Sequence, residues 1–179
     1  MNKTVAAAAV AGMMAGGSAN AAGPEDTLIL ELRTGKVIIE MRPDIAPNHV
    51  ARIKELTRQG FYDGLVFHRV IDGFMAQTGD PRGDGTGGSG QNINAEFTNT
   101  PFERGTVGMA RSQNPNSGDS QFFIMFERSS HLDGQYTVWG QVTDGMDHVD
   151  RIKKGISAMN GVVQDPDKIV SMKVQADVQ

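Results

Sequence analysis

Arg69 and Gln77 stand among bulky apolar residues, Phe74 and Met75 included, in the stretch FHRVIDGFMAQTGD (67–80). Arginine is a permanent cation with five donors, and glutamine adds an amide that both donates and accepts. The stretch holds neither a nucleophile–base pair nor the ligand spacing of a metal site. Whatever these residues do must therefore need neither a covalent nucleophile nor a metal.

The elements that position them follow from hydrophobic pattern. TLILELR (27–33) and KVIIEM (36–41) are β-branched and apolar around Thr34-Gly35 and read as a hairpin. In APNHVARIKELTRQG, Val50, Ile53, Leu56 and Thr57 form one helical stripe, with Pro47 in the first turn and Gly60 as the stop. Short β-like runs alternate with glycine from Phe61 to Asp80. TVGMARS, SQFFIMF and YTVWGQV are further strands, and DGMDHVDRIKK is a short helix with Met146, Val149 and Ile152 on one face. KIVSMKVQADV alternates, which points Val170, Met172, Val174 and Ala176 the same way. About eight short strands and two helices predict a mainly β fold: an eight-stranded antiparallel closed barrel capped by two α-helices.

Composition narrows the function. The chain has 179 residues, is 39% hydrophobic and 21% charged, and carries a net charge of −4, which argues against a nucleic-acid partner. It has no cysteine, so neither a disulfide nor a thiolate site is available. Residues 1–21 combine Lys3, an Ala/Val/Met run and the small-residue site Ala19-Asn20-Ala21, which predicts a secretory signal cleaved after Ala21. The expected domain is 22–179, periplasmic or secreted and without a membrane anchor, since no cysteine follows the apolar run.

The glycine-rich DPRGDGTGGSGQN (80–92) lacks the lysine and helix start of a phosphate loop, and Arg82 stands in a calcium-ligand position. It reads as a loop of tight turns. His68 beside Arg69 is expected on the opposite face in a structural role, and His49 and His148 as exposed helix residues. The four scattered histidines give no metal site, and no cofactor is expected. A small-ligand barrel is disfavoured, because SQFFIMF and its neighbours are bulky enough to fill the interior.

FHRVIDGFMAQTGD resembles the signature of the cyclophilin family of peptidyl-prolyl isomerases. GTGG (85–88), GMAR (108–111), SQFFI (120–124) and LDGQYTVWG (132–140) follow in the family's order and spacing, from about Thr27 to the end. The resemblance implies a substrate groove on the outer face of the barrel and activity on residue–proline bonds. It also implies proline-containing peptides and unfolded client proteins as partners of a monomeric enzyme. Arg69 matches the catalytic arginine, and Phe74, Met75, Phe123 and Leu132 match the pocket for the proline ring. Gln77 and Gln121 match groove residues that bond the peptide, and Ala110 a small residue beside it. Gly85 falls at the neighbouring pocket for the side chain upstream of proline.

Three positions depart from the pattern. Arg111 stands where many members have asparagine, His131 where well-known members have tryptophan, and Tyr136 where they have histidine. Without that tryptophan, weak cyclosporin binding is expected. The alternative function is a proline-peptide-binding chaperone or scaffold with incidental isomerase activity; intact Arg69 and Gln77 favour the enzyme, because a pure binder needs only the pocket.

Overall fold

The computed structural model describes residues 21–178. The expected signal segment lies outside them apart from Ala21. Eight strands and two helices follow in the order β1 (Thr27–Leu32), β2 (Gly35–Met41), α1 (Pro47–Arg58), β3 (Arg69–Ile71), β4 (Met75–Thr78), β5 (Thr106–Met109), β6 (Phe122–Met125), β7 (Val138–Asp144), α2 (Met146–Asp150) and β8 (Ile169–Val174). All pairings are antiparallel, in the order β3-β4-β6-β5-β7-β2-β1-β8.

The barrel differs from the expected closed form at one seam. Strands β3 and β8 are edges of a curled sheet and share no ladder. The gap is bridged by the segment before β3: Gly64 N donates to Ile169 O at 2.8 Å, and Phe67 N to Asp167 O at 2.9 Å. The irregular backbone of 64–67 carries the closure because β3 is only three residues long.

Strand alternation sorts the side chains into two apolar clusters. Phe122, Ala76 and Ile124 point inward with Trp139 and Tyr62; Phe123, Met75 and Met125 point outward with Phe102, Leu132 and Val138. Phe122 meets Trp139 and Tyr62 edge to face, at 5.3 and 5.5 Å. The neighbours Phe122 and Phe123 thus serve opposite faces, as the period of two requires.

On β8 the expected alternation fails at its start. A register shift between Glu31 and Leu32 pairs Leu32 with Ile169 and leaves Val170 54% exposed. This bulge turns Ile169 inward instead. Ala176 lies beyond the strand in an exposed 3₁₀ turn.

Helix α1 buries the predicted stripe Val50, Ile53, Leu56 and Thr57. Its N-cap, Ala46, has no side chain to cap it, and Glu96 of a distant loop does so instead. The Glu96 carboxylate accepts from Asn48 N and His49 N, each at 3.0 Å, and meets His49 Nδ1 at 2.5 Å. His49 is consequently buried rather than exposed, at 1% accessibility, and His148 is half-buried against Gly35. The helical pattern placed both at the surface because their partners lie far away in sequence.

Burial holds His49 below the ordinary histidine range, despite the opposing pull of Glu96, and burial does the same to His68. Between the folded pKa and about 6.5 the unfolded chain binds more protons, so stability falls as pH drops through this window. Burial pushes Glu96 upward, but its bonds to the α1 amides and His49 outweigh this and hold it low. A second loss therefore begins as pH falls below the usual glutamate range. Urea midpoints should decline from pH 7 to pH 5, with a shallower slope in His49→Gln. A flat profile would refute the burial of neutral histidine as the cause.

Candidate active site

The site grows from strand register. Arg69 pairs with Gln77 across β3 and β4, Gln77 with Phe123 across β4 and β6, and Phe123 with Gly108 across β6 and β5. Residues directly opposite share a face, so these four form one row across the outer sheet. Gly108 is the small member: a Cβ there would lie 2.6 Å from Phe102 and 2.7 Å from the Phe123 ring. Its bare backbone lets Phe123 lie flat, stacked on Phe102 and edge-on to Tyr136, each at 5.8 Å.

Met75 lies two residues before Gln77 and joins the same face. The turn before it, closed by Phe74 N donating to Ile71 O at 3.0 Å with Gly73 at φ 69°, brings Phe74 beside the row. A 3₁₀ turn over Ser130–Leu132 supplies Leu132, buried, and His131, whose ring lies 5.8 Å from Phe74. The result is a groove of about 670 Å³. Eleven of the twelve expected site residues line it: Arg69, Phe74, Met75, Gln77, Gly85, Ala110, Arg111, Phe123, His131, Leu132 and Tyr136.

The twelfth, Gln121, lies beside the row and lines an adjoining cavity with Gln77. A polar relay runs along one wall: Arg69 Nη1 donates to Gln77 Oε1 (3.1 Å), Gln77 Nε2 to Gln121 Oε1 (3.0 Å), and Gln121 Nε2 to the carbonyls of Gly85 (3.0 Å) and Gly87 (2.9 Å). Gln121 therefore ties the row to the glycine-rich loop. That loop is built around the buried Asp80, which accepts from the amides of Arg82 (2.8 Å), Asp84 (3.1 Å) and Gly85 (2.5 Å). Burial raises the Asp80 carboxyl, but these N–H bonds outweigh it and hold it below the usual range. A Cβ on Gly87 would sit 2.1 Å from Asp80 Oδ1, so the loop needs glycine for space as well as for turns.

Arg69 is fixed from its other side by Asn160, which the sequence reading missed. Nε donates to Asn160 O and Nη2 to Asn160 Oδ1, both at 3.0 Å. Asn160 sits at φ 54°, a left-handed conformation that asparagine tolerates. The Asn160-Gly161 pair was the available signal, but a turn dipeptide says nothing of what it touches. Burial draws the Arg69 guanidinium below its ordinary value, and an arginine remains charged there. His68 also departs from expectation. It lines the same groove as Arg69, buried with no partner on either ring nitrogen, because β3 begins only after it and alternation does not apply.

Arg111 and Tyr136 form the far lip. The Arg111 guanidinium lies 4.4 Å over the Tyr136 ring and donates to the carbonyls of Gln135 (Nε 3.1 Å, Nη2 2.6 Å) and Ser112 (Nη1 2.9 Å). Among the described residues, no group of histidine and carboxylate side chains is arranged to hold a metal.

Residues 27–174 match the family model of the cyclophilin type peptidyl-prolyl cis-trans isomerases. The chain belongs to this family. A probable peptidyl-prolyl cis-trans isomerase of Brucella suis is 54% identical over 193 aligned positions, spanning 100% of this chain and 98% of the relative. Peptidyl-prolyl cis-trans isomerase B of Bacillus subtilis is 44% identical over 122, spanning 67% and 85%. Among solved structures, a Hirschia baltica cyclophilin superposes with a TM-score of 0.79 at 30% identity, over 88% of this chain and 77% of that one. A Cryptosporidium parvum cyclophilin crystallised in the presence of the dipeptide Ala-Pro gives 0.75 at 27% identity, over 83% and 98%. This cyclophilin is thus a peptidyl-prolyl cis-trans isomerase with a curled eight-stranded sheet and two helices.

Proposed function

We propose that this cyclophilin accelerates rotation about residue–proline bonds of unfolded clients outside the cytoplasm, with Arg69 as its catalytic residue. The observation that carries the reading is Arg69, clamped by Asn160 and Gln77 at the edge of an apolar groove. Three of its five donors are engaged, leaving one N–H on each terminal nitrogen for substrate.

The bond before proline resists rotation by ~18–20 kcal/mol, because the nitrogen lone pair is shared with the carbonyl. At the twisted transition state the lone pair returns to nitrogen, which then accepts a hydrogen bond that the planar amide cannot. A donor held beside that nitrogen binds the transition state better than either ground state. Phe74, Met75, Phe123 and Leu132 grip the ring, and Gln77 helps hold the peptide. An acceleration of about 10⁴ needs roughly 5.5 kcal/mol. One charge-assisted bond contributes ~1.5–3 kcal/mol, so orientation and partial drying of the groove must supply the rest. A protease-coupled proline-peptide assay tests the reading. Turnover is expected, and peptide binding without turnover would favour the scaffold alternative.

Export rests on the Lys3 start, the Ala/Val/Met run and Ala19-Asn20-Ala21, with the family match beginning at Thr27. N-terminal sequencing from the native host should begin at Ala22; a cytoplasmic product retaining residues 2–21 would overturn it. The reading includes a monomer that binds cyclosporin weakly. His131 offers Phe74 a smaller apolar face than an indole would. His131→Trp should tighten cyclosporin inhibition of activity by tenfold or so, about 1.4 kcal/mol, while changing peptide turnover little. Potent inhibition of the wild type would count against this reading.

A further inference from the structure

The row of side chains that carries Arg69 continues beyond it. Val162 stands opposite Arg69, and Ile156 opposite Val162, each in an antiparallel bridge. Residues directly opposite share a face, so the outer row runs Ile156, Val162, Arg69, Gln77, Phe123, Gly108. Arg69 thus has the groove on one side and two further apolar residues on the other. Val162 also lines the groove itself.

These residues face solvent. Among the described residues six large hydrophobics are exposed, and three of them, Ile156 (41%), Met159 (51%) and Val162 (45%), fall within the single turn from Ile156 to Val162. The segment GISAMNGVV (155–163) holds no charged side chain. The turn is fixed by its own backbone: Ile156 N donates to Val162 O (3.0 Å), Gly161 N to Ile156 O (3.0 Å) and Met159 N to Ile156 O (2.9 Å). Two more bonds anchor it to β3, from Gly155 N to Val70 O and from Val70 N to Gly161 O, both at 2.8 Å. Apolar residues exposed singly need no explanation, but a fixed cluster continuous with an active site marks a surface for a partner.

We propose that Ile156, Met159 and Val162 form a docking shelf for an apolar segment of an unfolded client whose proline occupies the groove. The proposal rests on the isomerase reading above. A second copy of this chain is the poorer occupant, because a stable dimer buries about 800 Å² per partner, far more than three side chains offer. An unfolded client presents apolar side chains on extended chain and is already tethered through its proline. Neighbouring strands lie ~4.8 Å apart, so Val162, three steps along the row from Phe123, is roughly 14 Å from it. An extended chain rising about 3.3 Å per residue covers that distance in about four residues. A client crossing from pocket to shelf passes over Arg69 and excludes water from its donors, which strengthens their bond to the reacting nitrogen.

The test compares leucine with asparagine, similar in shape, at positions about three to five residues from proline on either side, in otherwise identical peptides. Leucine is expected to raise kcat/KM about three- to tenfold within that window on one side of the proline. The advantage should persist or grow as sulfate is added, as apolar contact does. Met159→Gln should narrow the ratio, and adding Ile156→Thr and Val162→Thr should bring it to one. Because the ratio is taken within each variant, any shift of Arg69 transmitted through Asn160 cancels. Equal turnover of the two peptides at every position would overturn the proposal while leaving the isomerase intact. So would an advantage undiminished in the triple variant. A dimer in sedimentation that Met159→Gln dissociates would assign the shelf to a second copy and overturn it as well. Failure to turn over any peptide would remove the isomerase reading and the proposal together.

Discussion

Arg69→Ala is expected to fold normally and to lose a factor of about 10²–10³ in kcat/KM, the cost of deleting one donor aimed at transition-state charge. The loss should appear in kcat more than in KM, because the planar ground state offers the guanidinium a poorer acceptor than the twisted one. Folding should survive: Arg69 is half-buried at a sheet edge, and its partners Asn160 and Gln77 also face the open groove. Arg69→Lys should restore little, since a single ammonium cannot hold both Asn160 and Gln77 while presenting a donor to the peptide. A variant with an unchanged circular dichroism spectrum and near wild-type turnover would remove Arg69 from the chemistry.

Gly155→Ala should damage both stability and catalysis, from a position that lies outside the groove. Strand β3 is gripped by two backbone bonds: Gly155 N donates to Val70 O, and Val70 N to Gly161 O, both at 2.8 Å. A Cβ on Gly155 would lie 1.9 Å from Gly161 O and 2.2 Å from its carbonyl carbon. These are backbone atoms, so no rotamer change can relieve the clash and the segment 155–161 must part. Overpacking of this kind costs ~1–3 kcal/mol, which in a domain of this size lowers Tm by roughly 2–4 °C per kcal/mol. The same displacement moves Asn160, the clamp on Arg69 Nε and Nη2, and should lower kcat/KM by about tenfold. Asn160→Gly provides the comparison: glycine keeps the left-handed backbone and the carbonyl partner of Nε and loses the side-chain bond, so a few-fold loss with near-normal Tm is expected. If Gly155→Ala matched the wild type in both Tm and turnover, the grip on β3 would be irrelevant to Arg69.

Much of the architecture was legible because it is local. The hairpin around Thr34-Gly35, the buried stripe of α1 and the opposed faces of Phe122 and Phe123 all follow from periods of 2 or 3.6 residues within one segment. The glycine-rich loop was recognisable as turns. The five motifs in order pointed to the family and to eleven of the residues that line the groove. Val170 escaped because a one-residue bulge reverses alternation, and nothing in KIVSMKV marks its position.

What only the tertiary structure decided depends on contacts between residues far apart in the chain. His49 is buried because Glu96, 47 residues later, caps its helix. Arg69 is aimed because Asn160, 91 residues later, holds two of its nitrogens. Gly108 is small because two phenylalanine rings lie where its side chain would be. Arg82 and Arg111 line one cavity because a loop and a strand end meet there. A sequence sets the chemistry of each side chain and the periodicity of each segment. Which contacts these distant groups make with one another is settled by the packing of the whole sheet, because the period of a single segment carries no information about its neighbours in space.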